Sequence, residues 1–439
     1  MSKIDLYKFI HMKPLTALVS FPPGLGRQAL TEIESILNDP MIPEKKNTSS
    51  PKLLLFPEKI LIRNTSLQSI MGICFRSFFL RDIYILLNGL ELKNIEDELP
   101  YTFRTWIKET KSFSLQLQVR KNPSLDTEAF IEECKSFIHK AIGGAENIEP
   151  ANNRIGPRFL VSILRNRSEL YFAVKSKPLY QRGFRSPFPL SAPISEDLAS
   201  ILINFTLQKF SFNKNSIQLD AFIPFSGTGT FAFELFMQIY KILPGLLKFQ
   251  EDDFSKYLNY GKIWKFLRDK SCKGIYRNLA DHSPCLKIHN FDFRSDIVEN
   301  SLLNESNLQS ILDQNLGSII TQSFPGLNEI MEWKTADFFE TLIPNLMSKN
   351  LFLPLNPPYG IRHKNKESVA SFFQRIARKT NQLCLDLPPE TKIHGFLLCP
   401  DANSYSAASE IWRTDWNLET LHFSQGKLSI RALFFSSKN

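Results

Sequence analysis

The sequence predicts a two-part chain in which an α+β front leads into an α/β domain with a mostly parallel sheet and an antiparallel terminal hairpin. Three observations predict it. At 439 residues the chain exceeds one typical domain. From about residue 190 onward, apolar strand-length runs alternate with helical segments, the pattern of a parallel sheet covered on both faces. Finally, the two runs Leu418–Phe423 and Leu428–Phe435 flank Gln425-Gly426-Lys427, which reads as a hairpin.

In the front part, Thr16 to Phe21 reads as a strand. The turn Pro22-Pro23-Gly24 follows, and then a helix with Leu30, Ile33 and Leu37 on one face. Asn38 to Pro51 is rich in Pro, Asn, Lys and Ser and reads as a loop. Phe113, Leu115, Leu117 and Val119 alternate with Ser and Gln as a half-buried strand does, and Pro123-Ser124 then opens a helix that buries Phe130, Cys134, Phe137 and Ile138. Phe159–Leu164 and Leu170–Val174 form hairpin arms around Arg165-Asn166-Arg167-Ser168, where two cations sit within reach of a phosphate. A solvated turn would have the same composition.

In the second part the strand candidates are Ser216–Ile223, Leu286–Phe291, Ile330–Thr335, Leu351–Leu355 and His394–Cys399. Helices lie between them near 228–242, 295–313, 367–380 and 404–412. In such a sheet, ligands bind beyond the carboxyl ends of the strands.

With 43% hydrophobic residues, 37 of them Phe, the chain can bury large cores and is expected to be a folded protein. The 53 Lys and Arg outnumber the 44 Asp and Glu, giving +9, which suits a polyanionic partner without identifying one. The six cysteines form no C-x-x-C and lie in or beside apolar segments, so buried reduced thiols are expected rather than disulfides or a metal site. No apolar stretch reaches the roughly 18 residues a membrane span needs. Met1 to Asp5 lacks a signal-peptide core, so a cytoplasmic location is expected.

The chemistry-bearing residues fall at strand ends. Ser226-Gly227-Thr228-Gly229-Thr230 opens a helix after the first strand, where glycines admit a ligand to the backbone and the helix N-terminus offers free N–H groups. No Lys stands in Walker position and no third glycine completes a dinucleotide fingerprint, so a nucleoside cofactor fits better than a phosphate-rich one. Asp292, after the second strand, can accept hydrogen bonds from ribose hydroxyls, and Val298, Ser301 and Asn304 follow on a helix. Asp337 and Phe338, after the third, offer a carboxylate for an adenine amine and a ring to stack on it. Each acid could equally cap a helix or turn.

After the fourth strand comes Asn356-Pro357-Pro358-Tyr359. An amine conjugated to a heteroaromatic ring is a poor nucleophile because its lone pair is delocalised. The Asn356 side-chain oxygen and the Pro357 carbonyl could accept its two N–H bonds and favour a pyramidal nitrogen, while Tyr359 stacks on the base. Two prolines fix the backbone and remove competing donors. An ordinary strand-end turn uses the same residue types.

The run Ile223-Pro224-Phe225-Ser226-Gly227-Thr228-Gly229-Thr230-Phe231-Ala232-Phe233-Glu234 resembles motif I of class I S-adenosylmethionine-dependent amino-methyltransferases, whose N-P-P-Y motif is matched by Asn356 to Tyr359. More narrowly, the chain resembles bacterial RNA guanine-N2 methyltransferases with an N-terminal THUMP domain, in particular those acting on large-subunit ribosomal RNA. The resemblance extends over Phe21-Pro22-Pro23-Gly24-Leu25, Tyr180 to Arg185, Ala192 to Glu196, Pro244-Gly245-Leu246 with Phe249, Asn356 to Arg362, and Gln425 to Leu428. It implies a ferredoxin-like segment over 1–55, a THUMP RNA-binding domain over 56–180 and a Rossmann-like methyltransferase domain over 181–439.

It also implies S-adenosylmethionine as cofactor, held by Ser226, Gly227, Gly229, Thr230, Asp292, Asp337 and Phe338. A flipped guanine would lie at Asn356, Pro357, Pro358 and Tyr359, and RNA along Arg165, Arg167, Arg182, Arg185 and Arg362. Two positions depart from the family. Ile223 stands where motif I usually begins with Asp, the nearest acid being Asp220, and Arg294 replaces the usual acid two residues after Asp292. Glu196, or water held by backbone groups, could compensate. Adenine or cytosine as the base, transfer RNA as the substrate, and a non-catalytic RNA-binding role all remain open at this point.

Overall fold

A computed structural model of the chain describes residues 14–39, 50–90, 112–120, 128–129, 132, 136, 149–150, 158–164, 167–175, 177–187, 193–210, 217–248, 261–282, 284–316, 325–358, 368–426 and 428–438. It divides into two compact units. The first comprises Met1–Phe21, Gly26–Gln181 and Lys248–Asp269, and the second Pro22–Leu25, Arg182–Leu247 and Lys270–Asn439.

In the first unit, β1 (Leu15–Ser20), β2 (Lys52–Leu55), β3 (Lys59–Thr65), β4 (Asp82–Leu90), β5 (Ser112–Arg120), β6 (Glu149–Pro150), β7 (Arg158–Leu164) and β8 (Arg167–Ala173) form one sheet. Its order is β2-β3-β1-β4-β8-β7-β5-β6. Helix α1 (Gly26–Leu37) buries Ala29, Ile33 and Ile36, the one-sided stripe of a helix on a sheet. Helix α2 (Leu67–Arg76) begins at Ser66, whose hydroxyl accepts from Ser69 N at 3.1 Å. Glu32 of α1 accepts from Phe78 N at 2.8 Å just past the end of α2. A buried two-pronged pair, Arg158 to Asp82 at 2.6 and 2.8 Å, joins β7 to β4.

The alternation over Phe113–Val119 falls in β5, and the expected hairpin is β7 with β8, closed by the pair Leu164 and Arg167. Phe130, Cys134, Phe137 and Ile138, expected on a helix after Ser124, lie outside the described residues, as does Arg165.

The second unit opens with α3 (Glu196–Leu207). It then alternates β9 (Gln218–Ile223), α4 (Thr230–Ile239), α5 (Gly261–His282, whose last residues belong here), β10 (Cys285–Asp292), α6 (Ser295–Leu316), α7 (Leu327–Ile330) and β11 (Met331–Thr335). After these come β12 (Asn350–Leu355), α8 (Val369–Leu385), β13 (Lys392–Cys399), α9 (Ala402–Trp412), β14 (Trp416–Gln425) and β15 (Leu428–Ser437). The sheet order is β11-β10-β9-β12-β13-β15-β14. β9 to β13 pair in parallel, and β15 runs antiparallel to both β13 and β14. The terminal hairpin thus inserts its second strand between β13 and its own first.

β12 is apolar and buried from Leu351 to Leu355 because both faces are covered. Its ladder to β13 continues to Leu355, whereas pairing with β9 stops at Phe352 opposite Ala221. Pro354 has no N–H to extend it. The order reverses between β9 and β12, so the strands separate at their carboxyl ends where the sheet switches direction, the place where such sheets open a crevice.

Pro22–Leu25 belong to this second unit although the chain on either side belongs to the first. Ser424 N donates to Pro23 O at 3.0 Å. Gly24 has φ +94°, and a β-carbon there would lie 2.5 Å from His422 O, so only glycine fits. Among the described residues no helix is long and apolar enough to cross a membrane, and no group of three or more His, Cys, Asp or Glu gathers to hold a metal.

Candidate active site

The loop between β9 and α4 lies at the carboxyl edge of the sheet, and several of its polar backbone groups have partners. Ser226 N donates to Phe291 O at 2.9 Å, and Gly229 N to Ser226 O at 3.0 Å. Gly227 N donates to Asp292 Oδ2 at 3.1 Å. From α6, the Ser301 hydroxyl donates to Gly227 O at 2.8 Å, and Asn304 Nδ2 to Thr228 O at 3.1 Å. Gly227 and Gly229 both have positive φ. A β-carbon on Gly229 would lie 2.6 Å from the Trp333 ring and 2.7 Å from that of Phe233. A larger residue at Gly229 would force both rings apart. Two buried hydroxyls of this loop, Ser226 Oγ and Thr228 Oγ1, have no hydrogen-bond partner among the described residues.

Asp292 stands at the end of β10 as expected, and it also shapes the loop. Its two oxygens accept from Gly227 N and, at 3.1 Å, from Arg294 N. Burial raises its carboxyl pKa while these two amides pull the other way. Arg294 turns outward and pairs with the exposed Asp296. Ile223 is fully buried, and Asp220 does not replace the missing carboxylate. Asp220 accepts from Met347 N at 2.9 Å and Ser348 N at 2.6 Å, at the amino end of β12 and away from the loop.

After β11, Asp337 is exposed and its carboxylate accepts from Phe339 N at 2.9 Å, the turn-capping role that competes with ligand binding. This turn sends Phe338 into the core at 2% exposure, 5.0 Å from the Phe225 ring and 5.3 Å from Phe339. Phe338 is therefore not a stacking surface. Among the described residues an exposed ring at these strand ends is that of Phe293, 54% accessible and adjacent to Asp292, a residue the sequence analysis does not single out. An aromatic directly following a strand-end acid was the signal that could have found it.

Asn356, Pro357 and Pro358 follow β12 immediately, with Pro357 buried and the other two partly so. They lie at the end of the strand next to β9, so the polar turn and the glycine loop stand at the carboxyl ends of neighbouring strands, where the sheet order reverses. Tyr359 and Arg362 lie outside the described residues, and the side chain of Arg167 is not described.

Two of the arginines expected to face RNA serve this unit's interior. Arg182 is completely buried, with Nε 3.0 Å from Glu234 Oε1. Ser200 donates to the same carboxylate, whose pKa burial pushes up. A buried guanidinium with a carboxylate partner cannot reach a phosphate. Arg185 is 2.9 Å from Glu196, and its Nη2 donates to Ile194 O and, at 3.1 Å, to Thr230 Oγ1 at the start of α4. Its guanidinium holds the helix that begins at the glycine loop.

Burial pushes the Glu196 carboxyl up to about 7, with Arg185 pulling against it. Because the unfolded chain releases this proton near pH 4.5 and the folded chain holds it to about 7, stability falls as pH rises through that window and levels off above it. Glu196→Gln is expected to flatten this slope. Urea unfolding at pH 5 and pH 8 should show wild type losing about 2–3 kcal/mol more than the variant between the two. Equal slopes would mean that Glu196 ionises normally.

A mostly parallel seven-stranded sheet of this order, with a glycine loop after its first strand and an acid after its second, defines the class of doubly wound α/β folds whose ligands bind at the carboxyl edge. No protein-family model matches the chain. Among curated proteins it is similar to ribosomal RNA large subunit methyltransferase K/L of Acinetobacter baumannii (strain AYE), 24% identical over 267 residues, covering 60% of this chain and 33% of that protein. The same-named protein of Pseudomonas entomophila (strain L48) is 24% identical over 255 residues, 57% of this chain and 32% of that protein. The chain thus matches about a third of the length of these relatives. Its fold is shared with the crystal structure of SMU.472 complexed with SAH, at TM-score 0.66 and 15% identity, covering 97% of this chain and 99% of that one. It is shared too with TrmN from Thermus thermophilus, at TM-score 0.56 and 13% identity, covering 97% and 100%.

Proposed function

We propose that the chain methylates the exocyclic N2 amine of a guanine in RNA, with S-adenosylmethionine as methyl donor and large-subunit ribosomal RNA as substrate. The observation that carries this reading is the placement of two elements at the carboxyl ends of neighbouring strands: a braced glycine loop after β9 and Asn356-Pro357-Pro358 after β12. The name shared by the curated relatives supports the ribosomal target.

The loop fits the cofactor by its chemistry. Ser226 and Thr228 carry unpartnered buried hydroxyls, the space where a β-carbon on Gly227 would stand is open among the described residues, and Asp292 presents a carboxylate to ribose. Gly227, Gly229 and Thr230 would hold the methionine end, and Asp337 the adenine amine. S-adenosylmethionine supplies a methyl group on a sulfonium, already a good leaving group. Asn356 and the Pro357 carbonyl accept the two N–H bonds of the amine and orient its lone pair, and Asn356 or water takes the proton that is released. No Cys stands beside the motif in the sequence, so no covalent enzyme intermediate is invoked. Base extrusion costs roughly a few kcal/mol, which stacking on Tyr359 offsets in part.

In this reading 1–55 and 56–180 form the ferredoxin-like and THUMP parts of an RNA-binding region, and 181–439 the catalytic domain of a cytoplasmic enzyme. Arg165, Arg167 and Arg362 remain its candidate phosphate contacts, and RNA affinity then weakens with added salt. One observation favours a second reading, a non-catalytic RNA-binding protein: no acid stands at Ile223, and Asp220 points elsewhere.

Calorimetry with S-adenosylmethionine decides between the two. Saturable binding, weakened at least tenfold by Asp292→Ala, is the expected result. No binding by the folded wild type, with and without RNA, would move the conclusion to the second reading.

A further inference from the structure

We propose, building on the cofactor reading above, that the polar side of α6 is a brace that sets the glycine loop before any ligand arrives, with Asn304 as its central positioning residue. Ser301, Asn304, Glu305 and Asn307 occupy one side of this helix at helical spacing. Ser301 and Asn304 are buried, at 0% and 1% exposure. Each residue of the group holds a different piece of the site. The Ser301 hydroxyl donates to Gly227 O at 2.8 Å, a proton it shares with Ile297 O at 2.9 Å. Asn304 donates to Thr228 O at 3.1 Å while its Oδ1 accepts from Ser186 N at 2.7 Å. Asn307 Nδ2 donates to Phe184 O at 3.1 Å. Glu305 accepts from Trp333 Nε1, fixing the ring that lies against Gly229.

Asn304 is the only one of the four whose side chain is required in both senses. A flipped amide would set its NH2 against Ser186 N–H and its oxygen against Thr228 O, and an isosteric aspartate would bring a carboxylate to a carbonyl with no proton between them. This matters because Ile223 provides no charge to draw a ligand's ammonium into place. Cofactor affinity then depends on loop groups already held in their binding positions, so that little ordering is left to do on association.

The test uses the full-length protein and two readouts. Hydrogen–deuterium exchange of the peptide spanning 224–232, without ligand, reports the brace, and calorimetry with S-adenosylmethionine reports its consequence. Asn304→Asp is expected to speed exchange at least tenfold and to weaken cofactor binding about 10- to 100-fold, the range of one buried carbonyl left unsatisfied. Ser301→Ala should do the same in milder form, and it stands in if the aspartate variant fails to fold. Gln309→Ala, which cuts only an exposed tie to Asp313 within α6, should leave loop exchange and cofactor affinity at wild-type values. Unchanged loop exchange in both Asn304→Asp and Ser301→Ala overturns the brace. Faster exchange with unaltered affinity overturns its role in binding. Should the wild type bind no cofactor while the substitutions still quicken exchange, the brace stands and the cofactor reading falls.

Discussion

Asn356→Ala is expected to slow methyl transfer by about 10²–10³-fold while cofactor affinity stays within about twofold of wild type, since one preorganised polar group at a reacting centre is worth about that much. The argument is positional. Asn356 follows the last residue of β12, a strand buried on both faces from Leu351 to Leu355, and is itself followed by two prolines, so the side chain projects from a fixed base. An acceptor held this way contributes only when an amine nitrogen becomes tetrahedral, which is a demand of the transition state and not of cofactor binding. Single-turnover transfer to a guanine-containing RNA fragment, measured beside calorimetry, separates the two quantities. A variant with full transfer rate would remove Asn356 from the chemistry. Equal losses of rate and cofactor affinity would place it in the cofactor site instead.

The second large effect is on stability. Arg182→Met is expected to destabilise the second unit by about 3–5 kcal/mol, because Glu234 would be left charged without its guanidinium in a fully buried site, or protonated at a cost. Arg182 and Glu234 are both 0% exposed, and the carboxylate also takes a hydrogen bond from Ser200. The penalty belongs to the orphaned charge and not to the attraction itself. The double variant Arg182→Met with Glu234→Met should therefore regain most of the loss. Urea unfolding of the three proteins measures it, and a double variant no better than Arg182→Met alone would contradict this account.

Much of the second unit was legible because its strands are buried on both faces and end in chemistry-bearing turns. Leu351–Leu355 and His394–Cys399 read as strands from apolar runs alone, and both fall within the observed β12 and β13. The terminal hairpin was legible too. The placement of its second strand, β15, between β13 and β14 was not, since strand order depends on packing between residues far apart in sequence. In the first unit the stretch from Lys52 to Leu90 went unread. Leu53-Leu54-Leu55 lacks alternation, and Leu54 and Leu55 are 39% and 41% exposed, so neither period nor burial marks the strand.

The site divided in the same way. Residues whose role depends on backbone geometry, such as Gly227 and Gly229, were legible because few residue types adopt a positive φ. Residues whose role depends on a distant partner were not. Arg182 and Arg185 look like surface cations in Tyr180-Gln181-Arg182-Gly183-Phe184-Arg185, yet the partner of Arg182 stands 52 positions away. Phe338 sits beside an acid, as a stacking ring would, but the Asp337 turn points it inward.

The four residues Pro22–Leu25 have a consequence for how the molecule can be made and cut. Pro23 and Ser424 are about 400 residues apart in the chain, so this contact carries the largest closure entropy and the highest contact order of those described for the unit. On a ribosome the tetrapeptide emerges about 400 residues ahead of β14 and waits for that strand before it can settle under His422 and Phe423. A fragment that starts at Arg182 lacks this piece of its own unit, however well its sheet is preserved. Excision at the apparent linker therefore yields an incomplete domain, and a faithful one has to carry the amino-terminal tetrapeptide with it, by permutation or by addition as a separate peptide.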